Sequence, residues 1–373
     1  MGGKYEVPSK DYAVQYGPWL PELLEELTRV ILEENPVLGT SLDLFEAEFA
    51  AHAGARFGIG TGSGTDALVL AMRSLGIGKG DEVIVPANTF FATVTAVVMA
   101  GGRPVLVDPD PDTLNLSVEG VVRAVTPRTR AIIAVHLYGL LAPMAGLLEV
   151  AESLGLHLLE DAAQAHGARG ADGRRAGAFG CAGCFSFHPG KNLGAFGDGG
   201  MITTSDRAVA DRARQLRNLG KVTKYEVCHV APNTKLDTLQ AALLRMKLPR
   251  LDGWNGRRRR IAARYREVLE GVGDLRLPAD PGGEAHVHHL FVVRTRRRDA
   301  LRRHLRGAGI NAGIHYPIPP HLQKLDQDLG YREGDFPVAE GAADSVLSLP
   351  ISFELTDAQV DQVCDQVRRF FHG

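Results

Sequence analysis

The sequence predicts an α/β protein in which a larger domain of parallel strands and flanking helices is followed by a smaller α+β domain. Two observations support this fold class. From about residue 56 to 205, short apolar segments alternate with helix-like stretches, which is the pattern of parallel strands joined by helical crossovers. The chain of 373 residues also exceeds what one small core usually organises. We therefore expect a large domain over residues 1–250 and a small one over residues 251–373.

Seven short apolar segments are the predicted strands of the large domain. The first is followed by a stretch in which Leu68, Ala71 and Leu75 recur at helical spacing, so a helix is predicted there. The seven predicted strands span residues 57–60, 82–86, 103–108, 130–135, 156–161, 184–187 and 201–204.

The C-terminal third has its own helices and apolar segments. Residues 236–248 and the arginine-rich stretch beyond Trp254 predict a long helical region that joins the two domains. The remainder contains the segment HVHHLFVVR, a predicted helix near residues 298–308 and a last helix from about residue 356. No repeat or low-complexity tract interrupts this plan.

The overall charge gives no reason to expect nucleic acid or an anionic membrane as a partner, because the formal net charge is −2 and the pI is near 6.7. A role with small molecules fits better. The C-terminal third is locally basic, since residues 257–260 read RRRR and arginines recur from Arg294 to Arg306. Two interpretations are open: a solvated helix face, or a region that attracts an anionic substrate.

Neither a metal site nor a membrane segment is predicted. Cys181 and Cys184 form a CxxC pair, but no second pair completes a zinc site, so core packing is the favoured role. No run approaches the ~18 apolar residues that a membrane span needs. The polar start MGGKYEVPSKD is not a secretory signal. We therefore expect a cytoplasmic protein.

Asp161 is the first candidate for a chemical role. It lies where the apolar strand in LHLLEDAAQAHG ends, and ligands tend to bind at that edge of an open parallel sheet. The alternative is that Asp161 only caps the helix that follows. Glu160 is adjacent in the strand and therefore points in a different direction.

A glycine-rich segment is the second candidate. In TGSGTDAL, residues 61–68, a strand is joined to a helix around Gly64 and Thr65. Backbone N–H groups and a hydroxyl can therefore face a phosphate at the helix N-terminus. The glycine spacing matches neither the dinucleotide fingerprint nor the P-loop. A tight turn without a ligand is the alternative.

Lys191 is the third candidate. It follows Pro189 and Gly190 on a turn after a strand, and Ser186 lies close enough in sequence to add a hydroxyl to the same phosphate. Of the nine lysines, we expect Lys191 alone to have a buried, glycine-flanked setting. A desolvated lysine has a lowered pKa and reacts with carbonyls. Together the three candidates suggest pyridoxal 5'-phosphate, with Lys191 as its Schiff base and Asp161 as the partner of its ring nitrogen.

Over nearly its whole length the chain resembles the DegT/DnrJ/EryC1/StrS sugar aminotransferases, which share fold type I with aspartate aminotransferase. This resemblance implies a mostly parallel seven-stranded sheet flanked by helices and a homodimer. It is carried by nine segments in the family's order: GSGTDAL, PANTFFAT, VDPDPDTLNL, AVHLYG, EDAAQAHGA, CFSFHPGKNLGAFGDGG, LRNLG, NTKLDTLQAA and IHYPIP.

The resemblance implies a role for each cofactor-binding residue. Lys191 would attach to the cofactor's aldehyde carbon and then shuttle the proton, while Asp161 would pair with the protonated ring nitrogen. Gln164 would donate to the phenolic oxygen. Phe90 would stack on the ring, although the neighbouring Phe91 competes for that role. The phosphate would be held by Gly64, Thr65 and Ser186.

Other residues are implied to act at the subunit interface. Asn233 matches an asparagine that reaches the phosphate from the neighbouring subunit. The family usually has arginine where this chain has Lys235, which puts a bidentate contact in doubt. His315 and Tyr316 match a pair that approaches the sugar from the partner chain, and half-buried packing is the alternative.

The histidines near strand ends divide into two groups. His188 lies three residues before Lys191, where relatives that aminate C3 commonly have tyrosine and relatives that aminate C4 more often have histidine. The segments PGKNLGAFGDGG and GSGTDAL nevertheless resemble the C3 group. His136 and His166 are predicted either to have structural roles or to contact the residues that bind the ligand, without touching the ligand themselves.

The implied reaction is a two-step transamination. L-Glutamate would convert the cofactor to pyridoxamine 5'-phosphate, and a nucleotide-linked keto-sugar, with a 3-keto group favoured, would then accept the amine. A 4-keto sugar and a keto-cyclitol are alternative acceptors. A sugar dehydratase is disfavoured because relatives of that kind replace the lysine by histidine. A non-catalytic regulator is disfavoured by Lys191, Asp161 and Gln164. We expect the product to enter a secondary-metabolite glycoside such as an antibiotic.

Overall fold

Seven strands form one sheet at the centre of the larger part of the molecule. The computed structural model describes residues 5–324 and 329–372. The strands are β1 (Phe57–Thr61), β2 (Glu82–Pro86), β3 (Arg103–Val107), β4 (Thr129–Val135), β5 (His157–Asp161), β6 (Ala182–Ser186) and β7 (Gly200–Thr204). Their order across the sheet is β1-β7-β6-β5-β4-β2-β3.

The sheet is mostly parallel, as predicted. The pairings among strands β2 to β6 are all parallel, whereas β7 runs antiparallel to both of its neighbours, β1 and β6. No helix separates β6 from β7, and antiparallel neighbours need no helical crossover. The connection between β6 and β7 carries Lys191.

Thirteen α-helices occur in the described part of the chain. They are α1 (Tyr12–Tyr16), α2 (Leu20–Glu33), α3 (Thr40–Ala53), α4 (Gly64–Ser74), α5 (Phe91–Ala100), α6 (Val118–Ala124), α7 (Met144–Leu154), α8 (Arg207–Arg217), α9 (Thr238–Lys247), α10 (Leu251–Leu269), α11 (Arg298–Gly307), α12 (Pro337–Ser345) and α13 (Asp357–His372). Among them, none has the length and apolar character that a bilayer crossing needs.

Helices cover both faces of the sheet, and the strand sequences reflect this. Along β2, Val83 and Val85 belong to the cluster that includes α4, α5 and α8, whereas Ile84 belongs to the cluster on the opposite face with α6 and α7. Alternate residues of a strand point to opposite faces, so a sheet that is covered on both sides needs continuous apolar runs. Each predicted strand therefore overlaps an observed one, with bounds that differ by at most two residues.

A second core lies in the C-terminal third. Two antiparallel strands, β8 (Phe291–Arg294) and β9 (Val346–Leu349), pack with apolar residues of α10, α11 and α13. Val7, near the N-terminus, is part of this core and pairs with Ile310. The predicted division between residues 250 and 251 stays a prediction. It falls where the 3-10 helix Leu248–Arg250 runs directly into α10.

Candidate active site

A cavity of about 570 Å³ lies at the carboxyl edge of the parallel strands. Asp161 ends β5, Lys191 follows β6, and the N-terminus of α4 forms a third wall. Segments of the second core, around residues 311–316 and 348–351, complete it. The cavity brings together every residue that the sequence singled out except Asn233: Gly64, Thr65, Phe90, Asp161, Gln164, Ser186, His188, Lys191, His315 and Tyr316.

Asp161 presents its carboxylate to this cavity and is almost fully buried. Its Oδ2 accepts a hydrogen bond from the Thr93 hydroxyl at 2.8 Å, and its Oδ1 accepts one from the backbone N–H of Ala163 at 3.2 Å. These two donors fix the carboxylate in place. Each oxygen still has a lone pair for a cationic partner in the cavity.

Glu160 serves the structure on the other side of the strand. Its carboxylate accepts hydrogen bonds from the backbone N–H groups of Gly177, Phe179 and Gly180 at 2.7–2.9 Å, and so holds the turn before β6. His136 Nδ1 accepts from a backbone N–H, which leaves its Nε2 to donate to Glu160 at 3.0 Å. This geometry supports a structural role for His136.

Lys191 lies on a tightly held turn. Its backbone N–H donates to the carbonyl of His188 at 2.9 Å. A Cβ at Gly194 would come within 2.8 Å of the Pro189 carbonyl, so only glycine fits that position. Burial lowers the pKa of the Lys191 amine from 10.5 to about 8, although the Asp161 carboxylate opposes the shift. A substantial neutral fraction near neutral pH makes the amine a nucleophile and a base.

The start of α4 forms an anion site of the predicted kind. Ser63 caps the helix, because its Oγ accepts from the backbone N–H of Asp66 at 3.1 Å. The first N–H groups of a helix have no intrahelical acceptor, and Gly64 and Thr65 both line the cavity. A Cβ at Gly64 would lie 2.7 Å from the Cβ of Ser186, so glycine lets the helix end approach β6 closely. The Ser186 hydroxyl is thereby brought beside the helix N-terminus.

Gln164 and the aromatic residues form the remaining wall. Gln164 Oε1 accepts from the backbone N–H of Tyr138 at 2.6 Å, and its Nε2 donates to the Tyr316 hydroxyl at 3.1 Å. One N–H of the amide is therefore left for a ligand. Phe90 lines the cavity with its ring centroid 5.3 Å from that of Tyr316, whereas Phe91 does not line it. This placement favours Phe90 as the stacking residue.

His188 and His315 lie at different depths of the site. His188 is exposed at the cavity mouth, and its Nδ1 accepts from the backbone N–H of Gly190 at 3.1 Å, so Nε2 carries the donor. His315 Nδ1 lies 2.7 Å from the hydroxyl of Ser348. Burial lowers the pKa of His315 to about 4, and the Lys191 charge adds to this shift. His315 is therefore a neutral hydrogen-bonding group.

One expectation about this pair is wrong. His315 and Tyr316 line the cavity of their own chain, next to Gln164 of that chain, so they do not need a partner subunit to reach the site. The β8–β9 sheet holds them there, because Gly313, just before the pair, forms a bridge with Ser348 of β9. They occupy an irregular segment and not a strand.

Asn233 lies outside the cavity, on an exposed hairpin. Backbone bridges join Asn218 to Asn233 and Lys221 to Val227, and most side chains between them are exposed. Lys235 donates to the side-chain oxygens of Asn218 and Asn233. Asn233 is therefore not among the residues that line the cavity of its own chain.

Two further cations line the cavity and were missed from the sequence. Arg258 belongs to the RRRR run, and the solvated-face interpretation is wrong for it, because it is almost fully buried and donates to the carbonyl of Ile351 at 2.7 Å. Lys10 donates to the carbonyls of Pro189 and Lys191 at 2.7 and 2.8 Å. Lys191 is therefore not the sole lysine in a buried setting. Contacts between segments about 180 residues apart leave no local pattern in the sequence.

The other candidates have structural surroundings. His166 is fully buried among the rings of Phe49, Phe185 and Phe187, and burial lowers its pKa to about 3. Cys181 and Cys184 are free thiols. Within residues 5–324 and 329–372, no group of histidine, cysteine and carboxylate side chains is arranged to hold a metal ion.

The donor set of the cavity fits pyridoxal 5'-phosphate. Lys191 offers an amine of lowered pKa for the aldehyde, Asp161 offers a carboxylate for the ring nitrogen, and the α4 N-terminus with Ser186 offers donors for the phosphate. The close approach at Gly64 leaves these donors free to face one group.

Comparison with known proteins agrees with this site. The chain is 47% identical over 364 residues to the dTDP-3-amino-3,4,6-trideoxy-alpha-D-glucose transaminase of Streptomyces venezuelae, covering 98% of this chain and 96% of the relative. It is 44% identical to the UDP-N-acetyl-3-dehydro-alpha-D-glucosamine 3-aminotransferase of Acidithiobacillus ferrooxidans, covering 98% of each. The crystal structure of S. venezuelae DesV in complex with a ketimine intermediate matches with a TM-score of 0.95 at 46% identity, covering 98% of this chain and 99% of DesV.

The family assignment extends over most of the chain. The model of the DegT/DnrJ/EryC1/StrS aminotransferase family matches residues 21–368, a range that contains every predicted site residue. The matched range includes β5, which ends on Asp161, and the turn of Lys191. The chain therefore belongs to the DegT/DnrJ/EryC1/StrS aminotransferase family.

Proposed function

We propose that the protein transfers the amino group of L-glutamate to a nucleotide-linked keto-sugar, with the keto group at C3, and that it uses pyridoxal 5'-phosphate. The observation that carries this proposal is the meeting of Lys191, Asp161 and the α4 N-terminus in one cavity. The names of two relatives, at 47% and 44% identity, specify a 3-amino product or a 3-dehydro substrate.

Lys191 is the proposed base of both half-reactions. When bound, the cofactor supplies an electron sink for the pair of electrons released as a substrate C–H bond breaks. The neutral Lys191 amine would take that proton from the substrate carbon and deliver it to C4' of the cofactor, and would carry it in the reverse direction in the second half-reaction. Asp161 keeps the ring nitrogen protonated, since its carboxylate is fixed by Thr93 and Ala163 and faces the cavity.

The cavity mouth supplies the contacts proposed for the sugar. Tyr316 and Gln164 form one hydrogen-bonded wall, His315 stands beside Ser348, and His188 presents its Nε2–H at the entrance. Hydrogen-bonding groups of this kind suit the hydroxyl and keto oxygens of a sugar. The substrate roles of His188, His315 and Tyr316 rest on this placement.

We also propose that the protein is a homodimer. Asn233 does not line its own cavity, and the exposed hairpin that carries it presents the apolar residues Val222, Tyr225, Val227 and Val230. Further large apolar side chains are exposed on α2. Exposed apolar surface of this extent is typical of an interface. We infer that Asn233 approaches the phosphate site of the partner subunit.

We also propose that the reaction takes place in the cytoplasm. The four cysteines are free thiols, two of them buried, which suits the reducing cytoplasm. The destination of the amino sugar, a secondary-metabolite glycoside such as an antibiotic, rests on the family resemblance alone.

The test is a donor and acceptor screen with the purified holoenzyme. L-Glutamate is expected to change the visible absorbance of the bound cofactor, and the treated enzyme is expected to aminate a 3-keto nucleotide sugar, with the amine placed at C3 by NMR. An amine at C4 would favour the 4-keto alternative. Turnover of a keto-cyclitol with no response to nucleotide sugars would overturn the acceptor proposal, and no response to any donor would overturn transamination.

A further inference from the structure

An N-terminal strap reaches the active site from the second core. Val7 pairs in parallel with Ile310, and its backbone exchanges hydrogen bonds with Gly309 and Asn311. Three residues later, the Lys10 ammonium donates to the carbonyls of Pro189 and Lys191. An ammonium has three N–H groups, so one is left over, and Lys10 lines the cavity.

Lys10 is one of several basic side chains in this part of the cavity. Arg258 also lines the cavity, and its Nη1 donates to the carbonyls of His288, His289 and Ile351. The buried Nε of Arg258 has no hydrogen-bond partner among the residues that the structure describes. Two basic side chains therefore line one cavity, and Lys10 has an N–H group left over, which suits an anion there.

The electrostatic surroundings of Lys10 and Arg258 favour a further negative charge. Burial lowers the pKa of Lys10, Lys247 and Arg258, and the charge of the buried carboxylate Glu354 opposes this shift at each of them. Burial is the largest cause of the shift of Lys10, which brings its pKa to about 7, and the charges of Arg258, Lys247 and Lys191 add to it. A bound carboxylate beside these basic groups would favour their charged forms, since an opposite charge nearby raises the pKa of an amine.

We propose that Lys10 and Arg258 form the subsite that binds the α-carboxylate of the amino donor. This inference rests on the proposed function and adds to it the residues that recognise glutamate. The phosphate donors lie where Gly64 approaches Ser186, whereas Lys10 is bonded to the carbonyls of Pro189 and Lys191.

A carboxylate fits this position better than the diphosphate of a nucleotide sugar. Lys10 is bonded to the backbone carbonyl of Lys191, the residue whose amine reacts. In an α-amino acid the carboxylate is attached directly to the reacting carbon, whereas in a 3-keto sugar a diphosphate on C1 is separated from the reacting carbon by a further ring carbon. The anion nearest the reacting centre is therefore the donor's carboxylate.

Lys10→Met tests the subsite in the holoenzyme. We expect the dissociation constant of glutarate, a dicarboxylate that cannot transfer an amine, to rise about 10-fold to 100-fold in calorimetry, because a charge-assisted hydrogen bond is lost. In the half-reaction with L-glutamate, the half-saturating concentration of L-glutamate should rise by the same factor. Binding of thymidine or uridine diphosphate and amine transfer to the sugar should stay within about twofold of wild type.

Control variants separate this role from support of the Lys191 turn. Lys79→Met removes an exposed lysine and should change neither measurement. Lys10→Arg keeps a cation and should retain most of the glutarate affinity, and Lys10→Gln replaces Lys10→Met if the latter does not yield folded protein. Unchanged glutarate affinity, an equal loss in both half-reactions, or weakened diphosphate binding would each overturn the proposal. If L-glutamate does not change the absorbance of the cofactor in the wild-type enzyme, the proposed function itself is refuted.

Discussion

At the scale of single residues, two neighbouring carboxylates show how position in a strand decides a role. Glu160 and Asp161 are adjacent, yet one holds a turn through three backbone N–H groups and the other faces the cavity. The alternation of side chains along a strand separates them. The same substitution at the two positions should therefore affect different properties.

Asp161→Asn should slow transamination without unfolding the protein. The amide oxygen can still accept from the backbone N–H of Ala163, and the amide N–H can donate to the Thr93 hydroxyl, but the side chain carries no charge to keep the cofactor's ring nitrogen protonated. An opposite-charge pair at ~4 Å has a gross value of ~4 kcal/mol at an effective dielectric constant of ~20, so we expect a loss of about 10²-fold to 10³-fold in rate. Single-turnover absorbance with L-glutamate measures it.

Glu160→Gln is the matched control. Its Nε2 would face N–H donors of the 177–180 turn or of His136, so stability should fall by about 1–3 kcal/mol while the rate per folded holoenzyme stays near wild type. Thermal unfolding and the same single-turnover assay separate the two outcomes. An Asp161→Asn enzyme as fast as wild type would remove the basis for the proposed ring pairing.

The residues that the sequence could identify are those with local signals. Asp161 ends an apolar strand, Gly64 opens a helix, and Lys191 lies in a glycine-rich turn, so each has a recognisable neighbourhood. Lys10 and Arg258 have none. Their places in the cavity depend on contacts with segments far away in the chain, and an isolated lysine or an arginine run is more often solvated.

At the scale of elements, the site depends on the close approach of α4 to β6. Helix α4 begins at the point where β1 ends, and β1 and β6 flank β7 in the sheet. The first turn of α4 therefore lies over the end of β6, where Ser186 is. The phosphate donors come from two elements that only the folded sheet brings together.

Gly64→Ala should weaken cofactor binding. The added Cβ would lie 2.7 Å from the Ser186 Cβ and 3.1 Å from its Cα, so the helix end must move away from β6. A displacement of several tenths of an ångström misaligns the N–H donors, and we expect the dissociation constant of pyridoxal 5'-phosphate to rise about 10-fold or more. Equilibrium dialysis followed by absorbance measures the constant.

Gly253→Ala is the matched control, because it adds the same methyl group at a glycine that has open space around it. Gly253 lies in α10, and an added Cβ there has no atom within 4 Å. Alanine favours a helix over glycine by up to about 1 kcal/mol, so this variant should unfold at the same or a higher temperature with unchanged cofactor affinity. Equal cofactor affinity in Gly64→Ala and wild type would show that the close approach does not shape the phosphate site.

The elements themselves were more predictable than their arrangement. Continuous apolar runs such as EVIVP mark strands that are buried on both faces, and all seven were located from the sequence. The antiparallel direction of β7 and the strand order were not predicted. They depend on which edges the chain pairs, and no local pattern records that choice.

At the scale of the whole molecule, the exposed apolar surface supports the proposed homodimer, in which the active site would be shared. Helix α2 exposes Leu24, Ile31 and Leu32, and the hairpin between Asn218 and Asn233 exposes further large side chains. Ten predicted site residues lie in one cavity, and Asn233 lies outside it. A second copy of the chain accounts for both facts, because its hairpin would supply the missing asparagine. Sedimentation velocity should then show a dimer.

Hybrid dimers decide whether Asn233 serves the partner's site. Lys191→Ala removes the reacting amine and Asn233→Ala removes the exposed amide, so each homodimer should be impaired. Random mixing makes about half of the dimers hybrid, each with one fully intact site, so co-expression should restore about a quarter of the wild-type rate per subunit. A mixture no more active than the average of its two homodimers would show that Asn233 acts within its own chain or not at all.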